Sequence, residues 1–188
     1  MTQEHTHNNN GILKIALNLI CACIISGLII AVVYTLTAST ALAKQAELKT
    51  LSLKSLVTEA DTYQEIPGKD EWFAAIKDGQ TIAYIVPAES KGYSGAIELL
   101  VAISPDHKVM KYTILESSET PGLGDKAKEE PFAGQFVGKG VEQLEVTKDP
   151  SKKELIQSIS GSTITSRAVT KAVSEAVEEV TVFVQGGK

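Results

Sequence analysis

The sequence predicts an α+β protein, in which a single N-terminal transmembrane helix precedes a domain with an antiparallel sheet and flanking helices. Residues 15–36 contain no charged side chain, and residues 72–115 alternate short β-rich runs with turn residues. Residues 168–180 carry an apolar stripe at helical spacing. Because the strands follow one another without intervening helices, this pattern indicates an α+β fold rather than βαβ units.

Residues 15–37 are the predicted transmembrane helix, and residues 1–14 form a short tail before it. The uncharged run of residues 15–36 reaches roughly 33 Å at about 1.5 Å per residue, enough to cross a hydrocarbon core of about 30 Å. A cleaved signal peptide is the alternative, because Ala41 and Ala43 resemble a small-residue cleavage site. The run is longer than the usual apolar region of a signal peptide, which favours a retained anchor.

The charges around the helix do not fix its orientation. Lys14 is the one lysine or arginine before the apolar run, whereas Lys44, Lys49 and Lys54 follow it. A count of positive charges therefore mildly favours a cytoplasmic C-terminal domain. Long domains cross the membrane largely irrespective of nearby charge, so the count leaves the topology open.

Composition excludes several function classes. The formal net charge is −5 and no basic patch with interleaved aromatic residues occurs, so nucleic acid is not an expected partner. Cys21 and Cys23 lie inside the predicted span, which leaves the soluble part without disulfides or thiolate-held metals. No nucleophile stands in a pattern with a base, and we predict neither a catalytic residue nor a metal site.

Residues 38–62 are predicted to form a juxtamembrane helical segment, because alanine, glutamate, lysine and leucine dominate it. A partly ordered linker is the alternative, since the apolar periodicity is loose. Residues 63–188 are assigned to the folded domain.

Strands are predicted at residues 72–76, 81–86, 96–103 and 109–115. The Asp78-Gly79 pair predicts a hairpin between the first two, and residues 105–108 form a turn between the last two. Beyond the strands, a loop and a short strand contribute four predicted core residues: Phe132, Phe136, Leu144 and Val146.

A hydroxyl-rich segment, residues 160–166, precedes the predicted C-terminal helix and reads Ser-Gly-Ser-Thr-Ile-Thr-Ser. The helix is indicated by a stripe of apolar residues: Ala168, Ala172, Val173, Ala176, Val177 and Val180. A helix N-terminus presents free N–H groups and the positive end of the dipole, a combination that binds phosphate. A ligand-free N-cap is the alternative, but it needs a single hydroxyl group.

Three motifs in this order resemble one known family. The hydroxyl-rich segment resembles its Ser-Gly-Ala-Thr flavinylation motif, residues 119–124 (Glu-Thr-Pro-Gly-Leu-Gly) match a second signature, and residues 92–95 (Gly-Tyr-Ser-Gly) match a third. The family is the FMN-binding domain found in the G subunit of Rnf-type electron transport complexes. The same domain occurs in the C subunit of the sodium-translocating NADH:quinone reductase. With the N-terminal helix, the resemblance covers essentially the whole chain.

The resemblance implies that Thr163 carries FMN through a phosphodiester bond made by a flavin transferase. It also implies that the phosphate is held by Ser160, Gly161, Ser162 and Thr165. Two positions depart from the family pattern. Ser162 stands where alanine is usual, and Gln157 stands where the recognition pattern of the transferase usually has aspartate.

The flavin ring needs a site that admits the backbone closely and offers a few polar groups. Gly122 and Gly124 suit close approach, and Leu123 between them suits covering the ring; an ordinary type II turn is the alternative. Glu119 and Thr120 are expected to hydrogen-bond the ring or the ribityl chain. Tyr93 either packs against the cofactor or belongs to the sheet.

The resemblance further implies a membrane-anchored flavoprotein that relays electrons to other membrane and iron–sulfur subunits. Such a complex couples electron transfer between NADH and ferredoxin to Na⁺ or H⁺ translocation, and this subunit is not catalytic alone. The implied location is the bacterial cytoplasmic membrane, in contact with lipid, with the flavin domain outside the cytoplasm. Two alternatives stay open: the C subunit of the quinone reductase, and a non-redox membrane protein that binds a partner or an anionic ligand.

Overall fold

A computed structural model describes residues 9–186 and divides the chain into two units, Met1–Lys49 and Thr50–Lys188. Helix α1 runs over Asn9–Leu56, and its segment Leu13–Thr37 is long and apolar enough to cross a membrane. The side chains of residues 13–37 are exposed. The helix begins inside the predicted tail, whose residues 1–8 lie outside the described part, and it continues through the predicted juxtamembrane segment as far as Leu56.

The second unit contains a five-stranded antiparallel sheet whose strands lie in chain order. The strands are β1 (Thr62–Glu65), β2 (Phe73–Lys77), β3 (Gln80–Lys91), β4 (Ala96–Ile103) and β5 (Val109–Ser117). The sequence predicted all of these except β1, a short polar strand at the edge of the sheet. Asp78 and Gly79 have φ values of 51° and 77°, as the predicted tight hairpin requires.

Strand β3 continues five residues past its predicted end, through Pro87. Proline usually interrupts a ladder because it has no N–H to donate. The pairing between β2 and β3 ends at Ile85, so from this point on one side of β3 has no partner strand among the described residues. On the other side Pro87 stands opposite Leu100 of β4. The longer strand carries the chain directly to the loop that holds Tyr93.

Both faces of the sheet are covered, which explains why β4 is buried along most of its length. Ile97, Leu99 and Val101 face α3 and the short helical segments described below. Leu100 and Ala102 point to the opposite face, as the period of two in a strand requires. That face is covered by residues at the end of α1 and just after it: Leu53, Leu56 and Val57.

Short elements connect the sheet to the last helix. They are 3₁₀ turns at Gly124–Lys128, Gly134–Phe136 and Val141–Gln143, helix α2 at Glu130–Ala133, and a parallel pair of two-residue strands, β6 (Val146–Thr147) and β7 (Ile156–Gln157). Phe132, Phe136 and Leu144 are buried as predicted. Val146 is only half-buried, and its assignment to the core was wrong because it lies in a two-residue strand near the surface.

Helix α3 spans Thr163–Gly186, and every residue of its predicted apolar stripe is buried. The helix starts at Thr163, so residues 163–166 of the hydroxyl-rich segment form its first turn, and only residues 160–162 precede the helix. This corrects the sequence-based expectation. Near its other end, Phe183 contacts Trp72 and Tyr84 edge-to-face, with centroid distances of 5.5 and 6.0 Å. Packing along the whole helix therefore fixes where its N-terminus lies.

Candidate cofactor site

Three loops and the start of α3 enclose a cavity of about 600 Å³, called the site cavity below. Its size lies within the range of about 300–1,000 Å³ that is usual for small-molecule sites. It is lined by Tyr93, Glu119, Thr120, Leu123, Gly124, Lys148, Gly161, Ser162, Thr163, Ile164 and Thr165. The structure thus brings together all the site residues predicted from the sequence except Ser160 and Gly122.

Glu119 is the acidic residue of this lining, and it is buried, with 7% of its surface exposed. Its Oε1 accepts a hydrogen bond of 2.9 Å from the backbone N–H of Ser94, in the loop between β3 and β4. Its Oε2 accepts a hydrogen bond from the Thr165 hydroxyl in the first turn of α3. The carboxylate therefore connects all three motifs. The sequence had suggested Glu119 as a hydrogen-bonding partner of the ligand, whereas these two oxygens already have protein donors.

Two glycines make room for this carboxylate. A Cβ atom at Gly92 would lie 2.6 Å from Glu119 Oε1, and a Cβ atom at Gly124 would lie 2.7 Å from Glu119 Cβ. Carbon atoms do not approach that closely, so any larger residue would displace the acid. Gly124 thus makes room for Glu119, and it also lines the site cavity, where the expected close approach of a flat ligand stays a prediction.

Gly122 has a different role. Its φ is 76°, and the N–H of Leu123 donates to the carbonyl of Thr120 over 3.1 Å. This is the geometry of a type II turn with Pro121 and Gly122 at the central positions. Nothing lies within 4 Å of a Cβ at Gly122. The turn requires a glycine at position 122 because of this positive φ, and it places Leu123 in the lining of the cavity.

Some of the hydroxyl groups at the start of α3 form hydrogen bonds within the protein, and others do not. The Ser166 hydroxyl donates to the carbonyl of Ser162 and accepts from the N–H of Ile159, both at 2.9 Å. Thr165 is engaged by Glu119. Within residues 9–186, the Thr163 hydroxyl makes no hydrogen bond, and it lines the cavity. Two hydroxyl groups of the segment, those of Thr165 and Ser166, therefore have structural roles. The hydroxyl of Thr163 has no such role, and it is more exposed than that of Ser162, which is buried and also makes no hydrogen bond among the described residues.

The helix start also supplies polarity. The backbone N–H groups of Thr163, Ile164 and Thr165 precede the first intrahelical bond, which runs from the Ser166 N–H to the Ser162 carbonyl at 3.0 Å. Such unpaired N–H groups, together with the helix dipole, favour an anion. These donors lie in the same turn as the free hydroxyl.

Lys148 lines the same cavity and was not predicted. It also lines an adjoining cavity of about 320 Å³, together with Gln157, Ser158, Ile159, Ser160, Gly161 and Thr163. Among the described residues it forms no ion pair. Nothing in the sequence marks Lys148, because only the pairing of β6 with β7 brings it beside residues 160–163. It places a positive charge next to Thr163.

Gln157, which departs from the aspartate of the family pattern, is fully used in local structure. Its side-chain amide donates to the carbonyls of Asp149 and Lys152 at 3.1 and 3.0 Å. Its backbone N–H donates to Gln135 Oε1 at 2.7 Å. A carboxylate could not donate to two carbonyls, so the turn at residues 149–152 is built around an amide.

Other features of the described chain do not compete with this site. A larger cavity of about 740 Å³ lies along the C-terminal half of α3, and none of the predicted site residues lines it. No group of three or more histidine, cysteine, aspartate or glutamate residues within the described ranges is arranged to hold a metal ion.

Comparison with known proteins gives consistent results. A model of the FMN-binding domain matches residues 92–178. The G subunit of the proton-translocating ferredoxin:NAD⁺ oxidoreductase complex of Clostridium ljungdahlii is 51% identical over 181 residues, 96% of this chain and 97% of that protein. The G subunit of the Na⁺-translocating complex of Acetobacterium woodii is 30% identical over 89% of this chain and 90% of that protein.

A solved structure shares the fold. The crystal structure of the C subunit of the Na⁺-translocating NADH-quinone reductase from Parabacteroides distasonis has a TM-score of 0.51 and 26% identity, over 60% of this chain and 61% of that chain. The prediction of an α+β FMN-binding domain behind an apolar helix is confirmed.

Proposed function

Because this chain belongs to the family of G subunits of ion-translocating ferredoxin:NAD⁺ oxidoreductase complexes, we propose that it is their membrane-anchored, FMN-carrying electron relay. It is a redox subunit of a multisubunit oxidoreductase and is not catalytic alone. Electron transfer between ferredoxin and NAD⁺ in such a complex is coupled to the movement of Na⁺ or H⁺. The observation that carries the proposal is the convergence of three sequence-distant motifs on one cavity.

The lining of the cavity suits FMN. A flavin ring is a flat, largely apolar plate, and the exposed side chains of Tyr93, Leu123 and Ile164 offer it apolar surface. Thr120 offers a hydroxyl and its backbone to the polar edge or the ribityl chain. The redox chemistry belongs to the flavin; the chain binds, orients and partly shields it.

The phosphate end of FMN suits the start of α3. The unpaired N–H groups of the first turn and the ammonium group of Lys148 provide positive potential beside Thr163. Ser160, Gly161 and Ser162 supply the turn that precedes the helix, and Gly161 has a φ of 80°. A phosphodiester keeps one negative charge, which these groups stabilise.

We propose that the link is covalent and made at Thr163, as the match to the flavinylation motif implies. Thr163 Oγ1 would form the bond to phosphorus, the bond from phosphorus to the leaving group of an activated flavin phosphate would break, and the hydroxyl proton would pass to a base of the transferase. The Thr163 hydroxyl has no competing hydrogen bond among the described residues, and Thr163 is more exposed than Ser162, which is 7% exposed. The amide at Gln157 implies that the transferase serving this chain does not depend on a carboxylate there.

The proposed location is the bacterial cytoplasmic membrane, with α1 in contact with lipid and the flavin domain outside the cytoplasm. A covalent tether supports this placement, because a cofactor lost outside the cytoplasm is not readily replaced. The expected partners are the other membrane and iron–sulfur subunits of the complex. Protease added to right-side-out vesicles should digest the domain; protection of the domain would reverse the orientation.

Two alternatives are less well supported. The solved C subunit of the quinone reductase from P. distasonis shares the fold, but it matches 60% of this chain at 26% identity. The G subunit of C. ljungdahlii matches 96% of this chain at 51% identity. A non-redox protein that binds an anionic ligand would also use a cavity at a helix start, but it does not account for the similarity to oxidoreductase subunits along nearly the whole chain.

The test is purification of the full chain from a host that also expresses a flavin transferase. After denaturation, the protein band should fluoresce under ultraviolet light and the protein should show flavin absorption. A colourless, non-fluorescent chain would contradict the proposal.

A further inference from the structure

We propose that Glu119 is a positioning residue for flavin attachment: it holds the first turn of α3 so that the Thr163 hydroxyl faces the site cavity. This inference rests on the proposed function, because it concerns attachment at Thr163. It assigns to the Glu119 carboxylate a role in ordering the acceptor, rather than a direct contact with the flavin.

The first step is that each carboxylate oxygen accepts a hydrogen bond from the protein. Oε1 accepts from the Ser94 N–H at 2.9 Å, and Oε2 accepts from the Thr165 hydroxyl. The backbone N–H of Glu119 itself donates to Ser117 Oγ at 3.3 Å. Burial and two charge-assisted hydrogen bonds make this a strong local link, stronger than hydrogen bonds between neutral groups.

The second step is that the surrounding chain is shaped for this carboxylate. Gly92 and Gly124 come from different motifs, and a Cβ at either would lie within 3.0 Å of a Glu119 side-chain atom. The Thr165 hydroxyl would also lie 3.0 Å from a Cβ at Gly124. The acid, its donor and the two glycines form one close-packed unit.

The third step connects this unit to the acceptor. Thr163 and Thr165 share the first turn of α3, where the backbone N–H groups have no intrahelical acceptors. The turn is therefore held by side chains at two points: Ser166, which bonds the Ser162 carbonyl and the Ile159 N–H, and Thr165, which bonds Glu119. The remainder of the helix is fixed by its buried apolar stripe. Loss of the second point should loosen the first turn without unfolding the helix.

Attachment is more sensitive to such loosening than stability is. Bond formation requires the acceptor oxygen to be aligned with phosphorus, and a displacement of about 1 Å is enough to cost about 100-fold in rate. A helix end that frays reduces the time that Thr163 spends in the reactive position. The effect should therefore appear in the rate of attachment before it appears in the melting temperature.

The experiment uses the full chain co-expressed with a flavin transferase, and it measures the fraction of folded protein that carries FMN at early times after induction. The variants are Thr165→Val, Glu119→Gln, the double variant, and Thr165→Ser, which keeps the hydroxyl. Thr170→Val is the matched control, because the Thr170 hydroxyl is equally buried in α3 but donates to the Ser166 carbonyl, away from the cavity. Thermal unfolding of each flavin-free chain shows how much stability each change removes.

We expect Thr165→Val and Glu119→Gln each to slow attachment at least tenfold relative to Thr170→Val at a comparable melting temperature. The double variant should be no slower than the slower single variant, because Glu119→Gln weakens and Thr165→Val removes the same link. Thr165→Ser should recover most of the rate. The visible spectrum of whatever flavin is attached should be the same in Thr165→Val as in the unchanged chain.

Three results would overturn the inference. Attachment in Thr165→Val could equal that in Thr170→Val, or the effects of the two single variants could multiply in the double variant. Alternatively, Glu119→Gln could slow attachment while Thr165→Val does not, which would make Glu119 a direct flavin contact. An unchanged chain that carries no flavin under the same conditions would instead refute the proposed function, and the inference with it.

Discussion

Leu123 lies against Gly161: a Cβ atom at Gly161 would come within 3.3 Å of Leu123 Cδ2. The contact joins the turn after β5 to the turn before α3. Gly161 also has a φ of 80°, which residues other than glycine adopt at a cost of about 1–2 kcal/mol. The contact with Leu123 and the positive φ therefore both favour glycine at position 161, at the edge of the site cavity.

Gly161→Ala should therefore lower the free energy of unfolding by about 1–2 kcal/mol and also slow flavin attachment, because Leu123 and the turn must shift. Gly138→Ala is the matched control, since Gly138 has a φ of 77° and nothing within 4 Å of its Cβ position. Urea unfolding should show similar losses for both variants. Equal attachment in both would contradict the role given to the Leu123–Gly161 contact.

The end of α1 is expected to be part of the folded domain. Leu56 is 5% exposed and packs on the sheet, whereas Leu51, five residues earlier, is 53% exposed. Leu56→Ala should cost about 2–5 kcal/mol through lost burial and an unfilled cavity. Leu51→Ala should cost much less in the same denaturation experiment. Comparable losses would show that the sheet face is not covered as described.

Tyr112 should make stability fall at high pH. Its hydroxyl donates to the Ala127 carbonyl, its ring contacts Phe136 at a centroid distance of 5.0 Å, and burial, with a smaller effect of Glu130, raises its pKa well above the ordinary value. The unfolded chain releases this proton near pH 10 while the folded chain keeps it. The Tyr112 contribution is therefore complete below about pH 10 and declines above it.

Tyr112→Phe should cost about 1 kcal/mol at neutral pH, because the Ala127 carbonyl loses its donor. The variant should also show a shallower fall of unfolding free energy above about pH 10 than the unchanged chain does. Burial raises the pKa of Tyr63 as well, so some slope should remain. Identical pH profiles for the two chains would contradict the assignment.

Lys148 is expected to contribute to holding the phosphate. Lys148→Gln should reduce the stability gained on flavin attachment by roughly 0.5–1 kcal/mol, and the reduction should shrink as salt is raised. Lys153→Gln is the matched control, because Lys153 is exposed and lines neither cavity. The measurement is the difference in melting temperature between loaded and flavin-free chains. An equal gain in both variants would exclude the contact.

Local signals in the sequence were sufficient for most of the fold. The Asp78-Gly79 hairpin and the α3 stripe follow from residues adjacent in the chain, and both are present. Strand β1 was missed because its four residues are polar and form an edge. The start of α3 was placed too late because Thr163 to Ser166 show no apolar periodicity.

The candidate site was predictable only in part, because its motifs are local but their connections are not. The motifs located nine of the residues that line the cavity. The hydrogen bond between Thr165 and Glu119 spans 46 residues, and no local pattern indicates it. Lys148 reaches the site through the pairing of β6 with β7, another contact that the sequence does not signal.

The central claim is that the Thr163 hydroxyl carries the cofactor, and the mass of the peptide containing residue 163 tests it most directly. The full chain matured with a flavin transferase should yield that peptide with FMN added and one water lost. Thr163→Val should yield it unmodified, and Thr163→Ser should retain the adduct because the hydroxyl is preserved. An unmodified peptide from the unchanged chain, or an adduct that persists in Thr163→Val, would contradict the account.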